Sequence, residues 1–160
     1  MKRIVTAAIA VAGLSLAGAA PARATTFPAL TTIYFASGVV DTHPTVEGIA
    51  TVVNCSNMSG QTASVRYQFR RKDGTIAAGG TLLLANFATH VITSAGIVGF
   101  YADPIALPTG GIYGGALQIL STQSAVYCSA MLVRADGTFS GPSGVALHMV
   151  RFNPHPGTVE

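Results

Sequence analysis

Four histidines, His43, His90, His148 and His155, are the residues of this chain best suited to hold a metal or move a proton. His43 and His155 each precede a proline, in THPT and PHPG, and an imidazole held by such neighbours could ligate zinc or copper. No ligand spacing recurs among the four, so a His-based metal protein is an alternative expectation and no cofactor is assigned. The acids are scattered, and two of them sit in turns, so no catalytic carboxylate pair stands out. The chain contains no G-x-S-x-G elbow, no H-E-x-x-H and no phosphate-binding loop. No catalytic residue is nominated; a cell-envelope hydrolase is kept as the alternative to a binding protein.

Charge points to binding. Arg66, Arg70, Arg71 and Lys72 form the densest basic cluster. Arg66 and Arg70 share the wet face of a strand, which suits an acidic glycan, a lipid headgroup or an acidic partner. The competing reading is a solvated face that blunts an edge strand. A second candidate is the Gly- and Pro-rich stretch Ser94 to Gly111, where Phe100, Tyr101 and Asp103 could form an aromatic platform for a sugar or peptide. That stretch reads equally as an apolar flap closing one end of the fold.

The elements that must position these groups are strands. In TASVRYQFRRKDGT, Ala63, Val65, Tyr67 and Phe69 point one way, while Ser64, Arg66, Gln68 and Arg70 point the other. In SAVYCSAMLVRADGT, Val126, Cys128, Ala130 and Leu132 share a face, and the opposite face is less polar than a solvated one. That pattern predicts a central strand covered on both sides, or one whose outer face lies under a loop. IATVVNCSN puts Ile49, Thr51, Val53 and Cys55 together, so both cysteines face one core. Further strands are expected at Thr31–Ala36, Thr75–Leu84, Ala88–Thr93, Tyr113–Leu120 and Val145–Phe152, about eight in all, with no helix. RKDGT and RADGT each follow a strand, and Asp-Gly suits a tight turn. The whole predicts an antiparallel β-sandwich.

The N-terminus reads as an export signal. Lys2 and Arg3 precede an uncharged apolar run from Ile4 to Ala20, and Ala22-Arg23-Ala24 fits a small-x-small cleavage site, cut after Ala24. The expected organisation is a signal peptide over 1–24, one sandwich over 25–152 and a tail over 153–160. Cleavage removes Lys2, Arg3 and Arg23, which leaves six basic and six acidic residues. The basic pI therefore implies no nucleic-acid partner. No later stretch is long and apolar enough to span a bilayer as a helix, and the expected location is periplasmic or secreted. The expected partner is an envelope protein or glycan.

Cys55 and Cys128, 73 residues apart, are the only cysteines. In an exported chain two such cysteines read as one disulfide, with two buried free thiols as the alternative.

Two resemblances follow. Cys55, Tyr67 on the next strand and the late Tyr127-Cys128 resemble an immunoglobulin-type sandwich, which implies a bridge across its two sheets. STQSAVYCSAM and the ending VRFNPHPGTVE resemble a group of short exported bacterial proteins of unknown function, which implies export and carries no catalytic residues.

Overall fold

The computed structural model of the protein describes residues 29–42, 48–95, 104–134 and 144–152. Ten strands pack as two five-stranded sheets. In chain order they are β1 (Thr31–Asp41), β2 (Ile49–Asn57), β3 (Ala63–Arg70), β4 (Ile76–Leu84), β5 (Thr89–Thr93), β6 (Ile105–Ala106), β7 (Ile112–Ser121), β8 (Val126–Arg134), β9 (Val145–Leu147) and β10 (Met149–Arg151). The first sheet runs β10-β1-β7-β3-β4, and the second runs β6-β5-β2-β8-β9. Every pairing is antiparallel except β5 with β6. The protein is a β-sandwich, as the alternation predicts.

The β3 alternation holds along its full length. Ala63, Val65, Tyr67 and Phe69 are buried between the sheets, and Arg66 on the opposite face is exposed. Ile33, Leu117 and Ile119 from the same sheet meet Val53, Cys55 and Ile92 from the other. Burying each large apolar side chain here contributes about 1.5–3 kcal/mol. β2 is covered on both faces. Ala50 and Val52 point outward with Val133 of β8, and Ala95, two residues past β5, packs over them. That placement answers the question left by the mixed outer face of β8.

Three expectations need correction. The described residues form ten strands where about eight were expected, partly because Ile105 and Ala106 within the irregular stretch pair with Ile92 and Thr93. The segment Val145–Phe152 is not one strand. It breaks at His148, so that β9 pairs with β8 in the second sheet and β10 with β1 in the first. The disulfide exists, yet it does not cross the sandwich. Cys55 and Cys128 are directly opposite on neighbouring strands β2 and β8, with Cα atoms 4.2 Å apart. Both still face the core, since Cys55 is fully buried and Cys128 packs against the same cluster.

The two ends of the sandwich differ. At one end lies the β3–β4 turn, Arg71 to Thr75. Asp73 Oδ1 accepts hydrogen bonds from the Thr75 amide (2.9 Å) and hydroxyl (2.7 Å), and Gly74 supplies φ 85°. These bonds hold the Asp73 carboxyl below its usual range. The counterpart RADGT turn lies outside the described residues beyond Arg134. At the other end the loops 58–62, 85–88 and 122–125 meet around Asn57. Asn57 is buried; its amide nitrogen donates to Gln61 O (2.6 Å) and Leu84 O (2.9 Å), and its Oδ1 accepts from Ser59 N (3.0 Å). Replacing Asn57 by alanine would take this partner from the Leu84 carbonyl and the Ser59 amide, while Gln61 O keeps the Ser59 hydroxyl, a loss expected at about 2 kcal/mol by urea denaturation.

Candidate functional site

The basic cluster sits at the end of the β3–β7 ladder, where Arg70 pairs with Ala116 and its carbonyl lies against Gly115. Gly115 makes this approach possible. A Cβ at that position would lie 2.2 Å from Arg70 O and 2.5 Å from Ile112 Cγ2, so no side chain fits there. Gly114 beside it has φ 74°, which L side chains rarely adopt. The β1–β7 register slips here, between the Ser37, Val39 and Val40 pairs. The bare backbone of these two glycines floors a hollow of about 340 Å³. Phe35 and Ser37 of β1 line it on one side, and Arg70, Arg71 and Lys72 on the other. A second hollow of about 170 Å³ adjoins it, bounded by Arg71, Lys72, Gly111 and Tyr113. Arg71 and Lys72 therefore stand between two cavities and border both.

Arg70 is built in. Its Nη2 donates to Gln68 Oε1 (2.9 Å) and Gln118 Oε1 (3.0 Å), its Nη1 donates to Gly74 O (3.0 Å), and Nε lies 3.3 Å from Gln118 Oε1. Gln118 Nε2 donates in turn to the Thr32 hydroxyl at 2.8 Å. This row of side chains across β1, β7 and β3 fixes the guanidinium and with it the start of the turn. Arg71 donates to Thr109 O at 3.4 Å, a long bond that leaves the side chain adjustable. Lys72 is exposed, and Tyr113 on the far rim is 70% exposed. Beneath this rim the Thr109 hydroxyl donates to the buried Asp41 carboxylate.

Of the two nominated arginines, only Arg70 joins this groove. Arg66 shares its strand face but borders a separate hollow of about 250 Å³ over Gly79 and Gly80, where its Nε donates to Thr81 Oγ1 at 2.8 Å. Arg71 and Lys72 belong to the basic cluster in the sequence, and only the structure gives them a site. The glycine pair and Tyr113 carry no functional signal until the β3–β7 register sets them beside the turn. Phe100, Tyr101 and Asp103 lie outside the described residues, as do His43 and His155. His148 is exposed at the crossing between sheets. Among the described residues no group of three or more His, Cys, Asp or Glu could hold a metal ion. Among the same residues no helix is long and apolar enough to cross a membrane.

His90 occupies a different place. It is directly opposite Cys55 on β5, with Nδ1 3.5 Å from the Tyr67 hydroxyl. Burial lowers its pKa, partly offset by a hydrogen bond with the Leu83 backbone; burial also pushes the Tyr67 hydroxyl well above its ordinary range. The folded state thus favours neutral His90, while the unfolded chain protonates it near pH 6.5. Its contribution is full above about pH 6.5 and is lost as pH falls toward the lower folded value. Thermal melting from pH 7.5 to 5 should show a decline that is smaller in His90→Gln.

The fold and the groove define a sandwich with a basic, aromatic-rimmed surface cleft. No family model, curated protein or solved structure matches the chain.

Proposed function

We propose that the protein is an exported binding module that holds an acidic glycan of the cell envelope in the groove between Phe35, the Arg70–Lys72 turn and Tyr113. The observation that carries this reading is the shared position of Arg71 and Lys72 between two adjoining hollows. The nearest acid in the turn, Asp73, is already engaged by Thr75. A guanidinium and an ammonium side by side suit carboxylates spaced along a polymer, and arginine can grip each in a bidentate pair. Exposed Tyr113 and half-exposed Phe35 offer flat apolar faces to sugar rings. The bare glycine floor lets a ring approach the backbone. The combined volume falls in the range of small-ligand clefts. The motifs that resemble short exported bacterial proteins, together with the disulfide, support the export half of the reading.

Retention on immobilised polygalacturonate, compared with neutral dextran, tests it. The Arg71→Ser/Lys72→Ser double variant should lose at least tenfold in affinity with no change in Tm, because both side chains are exposed. Binding should weaken as salt is raised. Arg66→Ser should bind as the unchanged protein does. Equal retention of the double variant would remove the groove from the account.

A further inference from the structure

Among the described residues the two sheets have four edges, and three of them end on short strands. β9 and β10 have three residues each, and β6 has two. The fourth edge is β4, nine residues long. Proteins guard long edges with charges, proline or bulges. Ile76 to Leu84 reads IAAGGTLLL, with no charge and no proline, and the register shift of its ladder lies at the Ile76 end.

Hydrogen bonds of β3 fix which groups this edge offers. Ser64 N donates to Thr122 Oγ1 (3.0 Å), and Ser64 O accepts from Thr122 N (3.1 Å). Both main-chain groups of Ser64 thus face away from its opposite residue, Leu83. Bonded and unbonded pairs alternate in an antiparallel ladder, so Arg66–Thr81 and Gln68–Gly79 share no ladder bond either. The N–H and C=O groups of Gly79, Thr81 and Leu83 therefore point out of the sheet. His90 reaches the Leu83 backbone from the other sheet. Among the described residues nothing bonds the main chain of Gly79 or Thr81, and both residues are exposed. Such a row of donors and acceptors matches another strand.

Side chains on the same edge select the strand. Leu83 is 74% exposed on the outer face of the sheet, the face it shares with Gly79. Gly79 and Gly80 floor the hollow of about 250 Å³ beside Arg66. An antiparallel copy of β4 centred on Thr81 sets Leu83 of each chain opposite Gly79 of the other. The exposed leucine then enters the partner's hollow, and the two-fold axis repeats the contact. In the same register Thr81 exchanges bonds with its own copy and Leu83 with Gly79, which uses the outward groups of all three residues. A carbonyl accepts two bonds, so Leu83 O can keep His90. The neighbouring registers of the same parity set Leu83 against Ala77 or Thr81, which have side chains of their own.

We infer that two copies of the protein join edge to edge along β4, about a two-fold axis at Thr81, into one continuous sheet. The axis stands perpendicular to that sheet, so both Arg70–Lys72 turns border the same face. An acidic polymer would then meet two grooves at once, a consequence that rests on the proposed function, whereas the pairing does not.

Gel filtration with light scattering should show a dimer whose share rises with protein concentration. Leu83→Ser changes an exposed side chain; it should leave Tm unchanged and weaken association by about tenfold or more. Thr81→Pro removes an outward N–H and no ladder bond, and should leave a monomer. Salt should not weaken the dimer, because β4 carries no charge. The native cysteines are bonded to each other, so an added thiol is unique. Thr81→Cys should oxidise to a covalent dimer, while Leu83→Cys, offset by roughly 13 Å along the strand from its copy, should not. Three outcomes overturn the inference. One is a monomer at every concentration. Another is a dimer that folded Leu83→Ser and Thr81→Pro variants keep, or that Arg71→Ser/Lys72→Ser abolishes. The third is Leu83→Cys cross-linking as readily as Thr81→Cys, which would assign another register.

Discussion

Replacing Cys55 and Cys128 together by alanine is expected to remove about 4 kcal/mol of unfolding free energy and to lower Tm by roughly 15 °C. The bridge closes a loop of 73 residues. In the chain-entropy account its effect lies mainly in the unfolded state, which without it regains the freedom of nearly half the chain. Its position within one sheet does not reduce that term. The ladder already holds β2 against β8 from Ile49–Arg134 to Asn57–Val126, so the folded pair is aligned with or without the bond. A single replacement also breaks the bridge and leaves one unpaired thiol against the buried core. Urea denaturation of the double variant, and of the unchanged protein with and without reductant, measures the effect. A loss below about 1 kcal/mol would mean that the reduced chain keeps β2 and β8 together when unfolded.

Gly115→Ala is expected to destabilise by about 3 kcal/mol and to abolish groove binding as well. The new Cβ would meet Arg70 O at 2.2 Å, a backbone atom that cannot rotate aside. β7 must then move away from β3, and the floor beneath Phe35 and Lys72 moves with it. Gly74→Ala is a useful contrast: its Cβ would meet nothing within 4 Å, although φ is 85°. That variant should suffer only the backbone strain, about 1 kcal/mol. Thermal melting, with polygalacturonate retention measured on the same samples, separates the two effects. Equal Tm values for the two variants would show that β7 tolerates a side chain at position 115.

These residues also mark what can be read from the sequence. β3 is legible because one of its faces is wet, so period 2 is written into Ala63 to Arg70. The Asp73-Gly74 turn is legible because its bonds are local. The existence of the disulfide follows from the number of cysteines, but its placement does not. Two cysteines facing one core can join across the sheets or along one of them, and only the partner of β2 decides. The break at His148 is hidden for a related reason. VALHMVRF keeps a strand-like composition throughout, and the change of sheet is set by β8 and β1, far away in sequence. The groove is half legible. Its charges stand out, whereas its floor is made of glycines that advertise nothing. Arg66 falls outside it because sharing a strand face is not sharing a cavity, and the slip in register around Gly114 opens the hollow beside Arg70 alone.

The most direct measurement is a two-dimensional amide NMR titration of the protein with short polygalacturonate oligomers. The account predicts saturable shifts at Arg71, Lys72, Gly114, Gly115 and Tyr113, with Arg66 and the loop at Phe87 unmoved. Shifts spread over all basic residues without saturation, or confined to other parts of the sandwich, would contradict it.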